Sequence, residues 1–235
     1  MYKNNYEQSS LHRLVLLFGI PSILSLMMEM LTGIVDTAFA GNLPTGGSDA
    51  LSAMALISPV LGIFTALQTL FAMSTGILIS RYQNDPRRRN DCYLAGVVMT
   101  VAVSLTASLI CGWQLPNLLT ALGATGSIFT SAKQYLQIQL LSNICSSIGY
   151  TLTCCIRAFG FPKSEVRIVA CSVVTNILFN YIFAFVCDRG ISGLAWGTFV
   201  SEAVCMGLSA GFLIRKKYRF STSSLTARTF FRDTR

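Results

Sequence analysis

Six long apolar runs leave this chain few ways to fold: Leu14 to Ala40, Ala53 to Ser80, Cys92 to Trp113, Tyr135 to Ile156, Ile168 to Cys187 and Leu194 to Ile214. Each reaches the ~20 residues that a helix needs to cross about 30 Å of hydrocarbon. Transmembrane barrel strands are shorter and alternate apolar with polar residues, which these runs do not. With 52% of residues hydrophobic and 12% charged, a water-soluble core could not bury the apolar surface. The sequence therefore predicts an all-α integral membrane protein with six transmembrane helices over 14–214. Segments 1–13 and 215–235 flank them, the second basic and rich in Ser and Thr.

The net charge of +8 is distributed on one side of the predicted membrane. Lys3 and Arg13 precede the first run, Arg81, Arg87, Arg88 and Arg89 follow the second, and Arg157, Lys163 and Arg167 follow the fourth. Arg215, Lys216, Lys217, Arg219, Arg228, Arg232 and Arg235 follow the sixth, whereas the opposite connections carry only Lys133 and Arg189. Cytoplasmic loops retain Lys and Arg, so this alternation puts both termini in the cytoplasm and requires an even number of crossings, with the cell membrane as the location. The basic clusters read as topogenic and lipid-headgroup anchors, not as a nucleic-acid footprint. Ala38-Phe39-Ala40 before Gly41 has the small-x-small look of a signal-peptide cleavage site. The apolar core ends too far upstream at Met28, however, and Glu29 and Asp36 interrupt the approach, so the first helix reads as uncleaved.

The eight cysteines fall within the runs without zinc-type spacing and read as small buried apolar side chains. Only Cys111 and Cys187, near outer helix ends, lie where a bridge is conceivable, and none is expected. His12 is the sole histidine and no Gly-rich phosphate loop appears, so the chain reads as a non-enzyme without an organic cofactor. Short connections predict one compact bundle. Gly193 with Gly197, and Gly207 with Gly211, have the small-xxx-small spacing of helix packing seams.

Against this apolar background a few polar residues stand out. A carboxylate at a membrane helix centre costs about 2.5 to 3.5 kcal/mol on insertion scales, which makes it a functional candidate. Glu29 and Asp36, seven residues apart, fall nearly on one face of the first helix. Asp36 lies in its outer half, within reach of a cation from outside; the alternative is a carboxylate that merely caps or glues helices. Pro21 removes one backbone donor from the same helix and crowds the carbonyl of residue 17, giving a bend that is either static or mobile. Asn176 and Asn180, four apart, present two amides on one face of the fifth helix, suited to a sodium ion or to interhelical bonding. Thr198 adds a hydroxyl in the sixth helix, and Glu202, one turn on, is a further acid for a cavity wall.

At these residues a resemblance emerges. Ile34-Val35-Asp36-Thr37-Ala38-Phe39-Ala40-Gly41, Gly76-Ile77-Leu78-Ile79-Ser80-Arg81 and Arg157-Ala158-Phe159-Gly160-Phe161-Pro162-Lys163 resemble the ends of helices one and two and the loop between helices four and five of multidrug and toxic-compound extrusion (MATE) transporters. Asn176-Ile177-Leu178-Phe179-Asn180 and Gly190-Ile191-Ser192-Gly193-Leu194-Ala195-Trp196-Gly197-Thr198 are similar to their fifth and sixth helices. The resemblance implies a cation-coupling site on Asp36, Asn176, Asn180 and Thr198, taking sodium or a proton, with Pro21 where family members bend the first helix. Asn180 stands where many relatives have Asp, and Gln83 where Gly is common, the latter expected to matter only for a loop. MATE transporters resemble two six-helix lobes, and this chain supplies one. The expected function is a sodium- or proton-coupled antiporter exporting amphipathic, cationic drugs or toxic organic compounds by alternating access. The form is a half-length or truncated one, partnered by membrane lipid, small-molecule substrates and a second six-helix lobe, either another copy or a separate chain. The alternatives are an inactive half-transporter or assembly partner, and a lipid-linked oligosaccharide flippase. The flippase needs a basic cavity, and no run contains an internal Arg or Lys.

Overall fold

The computed structural model describes residues 11–216; the remainder, including Lys3, Lys217 and nearly all of the predicted flanking segments, lies outside the described residues. The helices are α1 (Leu11–Gly41), α2 (Gly47–Arg81), α3 (Pro86–Trp113), α4 (Leu115–Ala121), α5 (Gly126–Ala158), α6 (Pro162–Tyr181) and α7 (Gly190–Arg215), with a π-helical turn Ile182–Val186 continuing α6. No strand occurs among the described residues. Five segments, Val15–Gly41, Gly47–Arg81, Pro86–Trp113, Pro162–Val186 and Gly190–Arg215, are long and apolar enough to cross a membrane. The remaining long helix, α5, has 33 residues but carries Gln137, Gln139, Ser142, Asn143, Ser146, Ser147 and Thr151. Its position explains most of that composition: α5 is the central helix, packed against α2, α3 and α7, so its polar groups other than the exposed Gln137 meet protein at least in part. This is a multi-pass membrane protein.

Hydrogen bonds along α5 bind the bundle where lipid gives no hydrophobic drive for association. Gln68 of α2 donates to Asn143 Oδ1 (2.9 Å), and Asn143 Nδ2 donates to Ser108 Oγ of α3 (2.9 Å). Farther along, the Thr100 and Thr151 hydroxyls lie 3.0 Å apart.

Most helices extend past their apolar runs, because a helical turn beyond the hydrocarbon needs capping rather than hydrophobicity. Asp85 accepts from the backbone N–H groups of Arg87 (3.1 Å) and Arg88 (3.2 Å), and Pro86 opens the first turn, so the Arg87–Arg89 cluster sits in α3 and not in a loop. At the end of α5, Gly160 takes φ +90° while Phe161 N bonds Ile156 O (3.1 Å) and Gly160 N bonds Arg157 O (2.9 Å). This is a Schellman stop, which a β-carbon would strain. Pro162 then starts α6 at once. The connection expected over 157–167 thus shrinks to residues 159–161, and it sets the last turn of α5 against the first turn of α6. Gln83, expected to matter only for its loop, donates to Ala158 O (2.9 Å) and ties the α2–α3 turn to the end of α5.

Two expectations need correction. Gly193 and Gly197 do lie where helices touch, but a β-carbon on Gly207 or Gly211 would meet nothing within 4 Å, so these two glycines face open surroundings rather than a seam. Among the cysteines, Cys154, Cys155 and Cys205 are buried, whereas Cys171 and Cys187 are exposed, and all eight are free thiols. Cys111 and Cys187 are therefore not paired.

The least buried long helix is α1. Val15, Ile23, Met27, Met30 and Ile34 project outward with 59–71% exposure, while Ser25, Asp36 and Ala40 turn inward. It rests mainly on α6 and less on α2 and α7.

Candidate functional site

Where α1 crosses α6 and α7, four polar side chains close on one another. Asp36 is 7% exposed, Asn176 1%, Asn180 0% and Thr198 8%. Because Asn176 and Asn180 are one helical turn apart, both amides face α1. Asn180 Nδ2 donates to Asp36 Oδ1 (2.5 Å) and to Asn176 Oδ1 (3.0 Å), so both of its hydrogens are used. Asn176 Nδ2 reaches Thr198 Oγ1 (3.4 Å), and Thr198 Oγ1 lies 3.5 Å from Asp36 Oδ2. The threonine has one proton for two acceptors, and Leu194 O is closer at 3.1 Å. Asn180 Oδ1 is buried with no hydrogen-bond partner.

Backbone geometry explains the close approach. A β-carbon on Gly197 would overlap Asn180 Oδ1 and come within 2.7 Å of its backbone nitrogen, so only glycine lets α7 lie against α6 here. Gly193, one turn earlier, sits against Phe183 in the π-turn, where Cys187 N bonds Ile182 O (2.8 Å). Such π-turns often occur beside functional residues. Tyr135 of α5, 2% exposed, lies within electrostatic reach of Asp36. Sequence reading missed it because it opens an apolar run.

The donor set is all oxygen: the Asp36 carboxylate, two amide carbonyls and a hydroxyl. Oxygen ligands suit hard cations, and a single carboxylate gives a monovalent charge balance. Among the described residues no cluster of three His, Cys, Asp or Glu side chains occurs. The set fits sodium or a proton better than a transition metal. To coordinate an ion with Oδ1, Asn180 would turn its amide away from its present donor role.

The other predicted residues lie apart. Glu29 does not join Asp36 in the buried site: it lies about two turns along α1 from the crossing with α6 and α7 that covers Asp36, and it is exposed. Glu202 is half-buried on α7, with Ser146 of α5 beside it. Pro21 lies within the unbroken helix α1, and Ser22 Oγ bonds Phe18 O (2.8 Å) next to it.

A second polar cluster was not legible as one. Arg157, read as a headgroup anchor, instead bonds Glu165 Oε1 (3.1 Å) and Ser22 Oγ of α1 (3.0 Å), with its side chain only 23% exposed. Glu165 itself is 1% exposed. The three-residue turn at 159–161 brings the pair together. Each charge also suits its helix end: the guanidinium near the C-terminus of α5, the carboxylate near the N-terminus of α6. A basic group thus does enter the bundle, but Glu165 neutralises it, so it offers no free charge to a pyrophosphate.

The MatE family model matches residues 21–182, which includes both polar clusters except Thr198. The chain belongs to the MATE family of multidrug efflux transporters. Multidrug export protein MepA of Staphylococcus saprophyticus is 29% identical over 217 residues, covering 90% of this chain and 47% of that protein. This MATE chain spans about half the length of the curated relatives it matches. Its fold is that of a lobe of an outward-facing multidrug resistance MATE transporter of the MOP superfamily: the TM-score is 0.81 at 19% identity over 89% of this chain and 47% of that one. MATE crystal structures in bent and in straight conformations match equally, each with a TM-score of 0.79 at 19% identity over 88% of this chain and 46% of theirs.

Proposed function

We propose that this chain forms one lobe of a sodium- or proton-coupled antiporter that exports amphipathic organic cations across the cell membrane by alternating access, with both termini cytoplasmic. The observation that carries the reading is the burial of Asp36 among Asn176, Asn180 and Thr198 at the crossing of three helices. A buried charge is tolerated only when paired, hydrogen-bonded or neutralised. A cation or proton on Asp36 changes how much that carboxylate needs the Asn180 amide. The loaded and empty forms therefore favour different packings of α1 on α6, and a ligand shifts a conformational equilibrium through that difference alone. The low burial of α1 and the similarity to both bent and straight relatives support a lobe with two arrangements.

Substrate has a path beside this site. A shallow open hollow of about 870 Å³ lies along the outer half of α1 beside Leu51 of α2, lined by Met30, Ile34 and other mostly apolar groups. Exposed Glu29 supplies a negative charge on the same helix, which suits an amphipathic cation. A second six-helix lobe, from another copy or a separate chain, would cover this face. Transport activity is assigned to the two-lobed assembly.

The test is dye export. Cells producing the chain together with a companion lobe should export a fluorescent organic cation when a sodium or proton gradient is imposed. Asp36→Asn should abolish that dependence while the protein still inserts in the membrane. Gradient-driven export that persists in the variant would remove the mechanism.

A further inference from the structure

The Arg157 cluster lies at the end of α1 opposite Asp36, and the coupling site makes no use of it. Its geometry is incomplete. Glu165 spends Oε1 on Arg157, while Oε2 has no hydrogen-bond partner although the residue is 1% exposed. Ser25 Oγ, 4% exposed, faces Glu165 from α1 and is placed to hydrogen-bond it, though not in good geometry. A hydrogen bond in poor geometry stabilises little, so this clasp is weaker than its ion pair suggests.

A competitor for the guanidinium lies nearby. Ser22, Ser25 and Glu29 follow at spacings of three and four along α1, on neighbouring turns. Glu29 is exposed within a membrane span, where an uncompensated carboxylate is costly. Arg157 acts on it electrostatically, although the ion pair Arg157 makes in this arrangement is with Glu165. The other groups around the cluster are Tyr150 and Cys154 of α5 and Glu202 of α7, none of them a cation. Arg157 also bonds the residue that follows Pro21, where α1 lacks a backbone donor and bends most cheaply.

We infer that Arg157 is a positioning residue that holds α1 through alternative carboxylates: Glu165 in the arrangement seen, and Glu29 in a second arrangement of α1. Ser22 and Glu29 are about 10 Å apart along the helix axis, and an Arg side chain spans more than half of that. A displacement of α1 by about one turn, 5.4 Å, or an equivalent bend at Pro21, exchanges the partners. The guanidinium stays paired in both arrangements, and in the second the buried Glu165 gives up its charge by taking a proton. The inference deepens the alternating-access reading, which gives the two arrangements their purpose.

The experiment measures positions rather than transport, so it can fail while the Asp36 test succeeds, and the reverse. Spin labels are attached through ketone side chains introduced at Ile23 of α1 and Val174 of α6, both exposed, leaving the cysteines intact. Distances are read by double electron–electron resonance on the full chain in lipid nanodiscs. Glu165→Gln should raise the ratio of the second distance to the first by about tenfold or more, and Glu29→Gln should lower it. The paired exchange Arg157→Glu with Glu165→Arg guards against a variant that misfolds. It restores the ion pair but sets a carboxylate against Glu29, so it should keep the first distance and lose the second. Identical distributions in the two Gln variants, shifts in the same direction, or a second distance that survives the paired exchange would each overturn the inference.

Discussion

Replacing Gly197 by Ala should damage both the packing of α6 on α7 and the polar site it supports. The added β-carbon would overlap Asn180 Oδ1 and lie 2.7 Å from the Asn180 nitrogen and 2.9 Å from its Cα. A side-chain oxygen can rotate away, but a helix backbone cannot, so the helices must part by about half an ångström or more. Overpacking of this kind costs about 1 to 3 kcal/mol. The shift also weakens the 2.5 Å bond from Asn180 to Asp36, and a hydrogen bond to a charged group is worth about 1.5 to 3 kcal/mol. Alanine's better helix propensity returns about 0.5 to 1 kcal/mol, leaving a net loss near 2 to 4 kcal/mol. Thermal unfolding in detergent, followed by loss of the monodisperse elution peak, should show a clear fall in midpoint. Gly207→Ala and Gly211→Ala, where nothing lies within 4 Å, should be neutral or slightly stabilising. Adding Asn180→Ala to Gly197→Ala should not restore the midpoint, because the backbone contacts remain. A wild-type midpoint for Gly197→Ala, or an equal fall for Gly207→Ala, would refute the packing argument.

Three further outcomes are expected. Asn180→Asp gives the site a second carboxylate beside Asp36; sodium should then raise the unfolding midpoint more than in the wild type, with tenfold tighter binding adding about 1.4 kcal/mol at saturating ion, and equal sodium responses would count against an ion site here. Asn143→Leu removes both links of the Gln68–Asn143–Ser108 chain, leaving two polar groups unpaired, and should cost about 1 to 3 kcal/mol in the same unfolding assay. Cys187 is exposed in the turn before α7, on the side opposite the Arg157 turn; a membrane-impermeant maleimide should label it in intact cells if the termini are cytoplasmic, and labelling that requires permeabilised cells would invert the proposed orientation.

The Asp36 cluster was legible because each member breaks a rule that apolar runs otherwise obey. A carboxylate within a span and two amides four residues apart need no alignment to attract notice, and an i, i+4 pair on one helix must share a face. Glu165 was hidden by the opposite circumstance. It precedes its apolar run, in a stretch rich in charge and interrupted by Gly160 and Pro162, which reads as a loop. Only the Schellman stop at Gly160 and the immediate restart at Pro162 make that stretch two helix ends facing each other, with Arg157 against Glu165. The heptad relation of Glu29 to Asp36 misled because a shared face is not covered along its whole length: Asp36 is buried and Glu29, two turns away, is exposed. Glycine spacing carried the least information: the pairs 193/197 and 207/211 look alike, yet only the first meets a neighbouring helix.

These placements bear on which element of the lobe can move. Helix α5 is surrounded by α2, α3 and α7 and fastened to α2 and α3 by amide and hydroxyl bonds, so displacing it would break several buried links at once. Helix α1 has fewer such links among the described residues. Its polar ties to other helices among the hydrogen bonds above lie at Ser22 and at Asp36, fourteen residues or about 21 Å apart, and the stretch between turns large apolar side chains outward. Regions with little burial open at lower free energy than a packed core. Each tie also involves a charged group whose partner can change, a guanidinium with two carboxylates in reach at one end and a carboxylate held by amides at the other. A helix so held moves when charge is rearranged at its fastenings. If α1 is instead as well protected from backbone hydrogen exchange as α5, the division of the lobe into a fixed core and a movable helix is wrong.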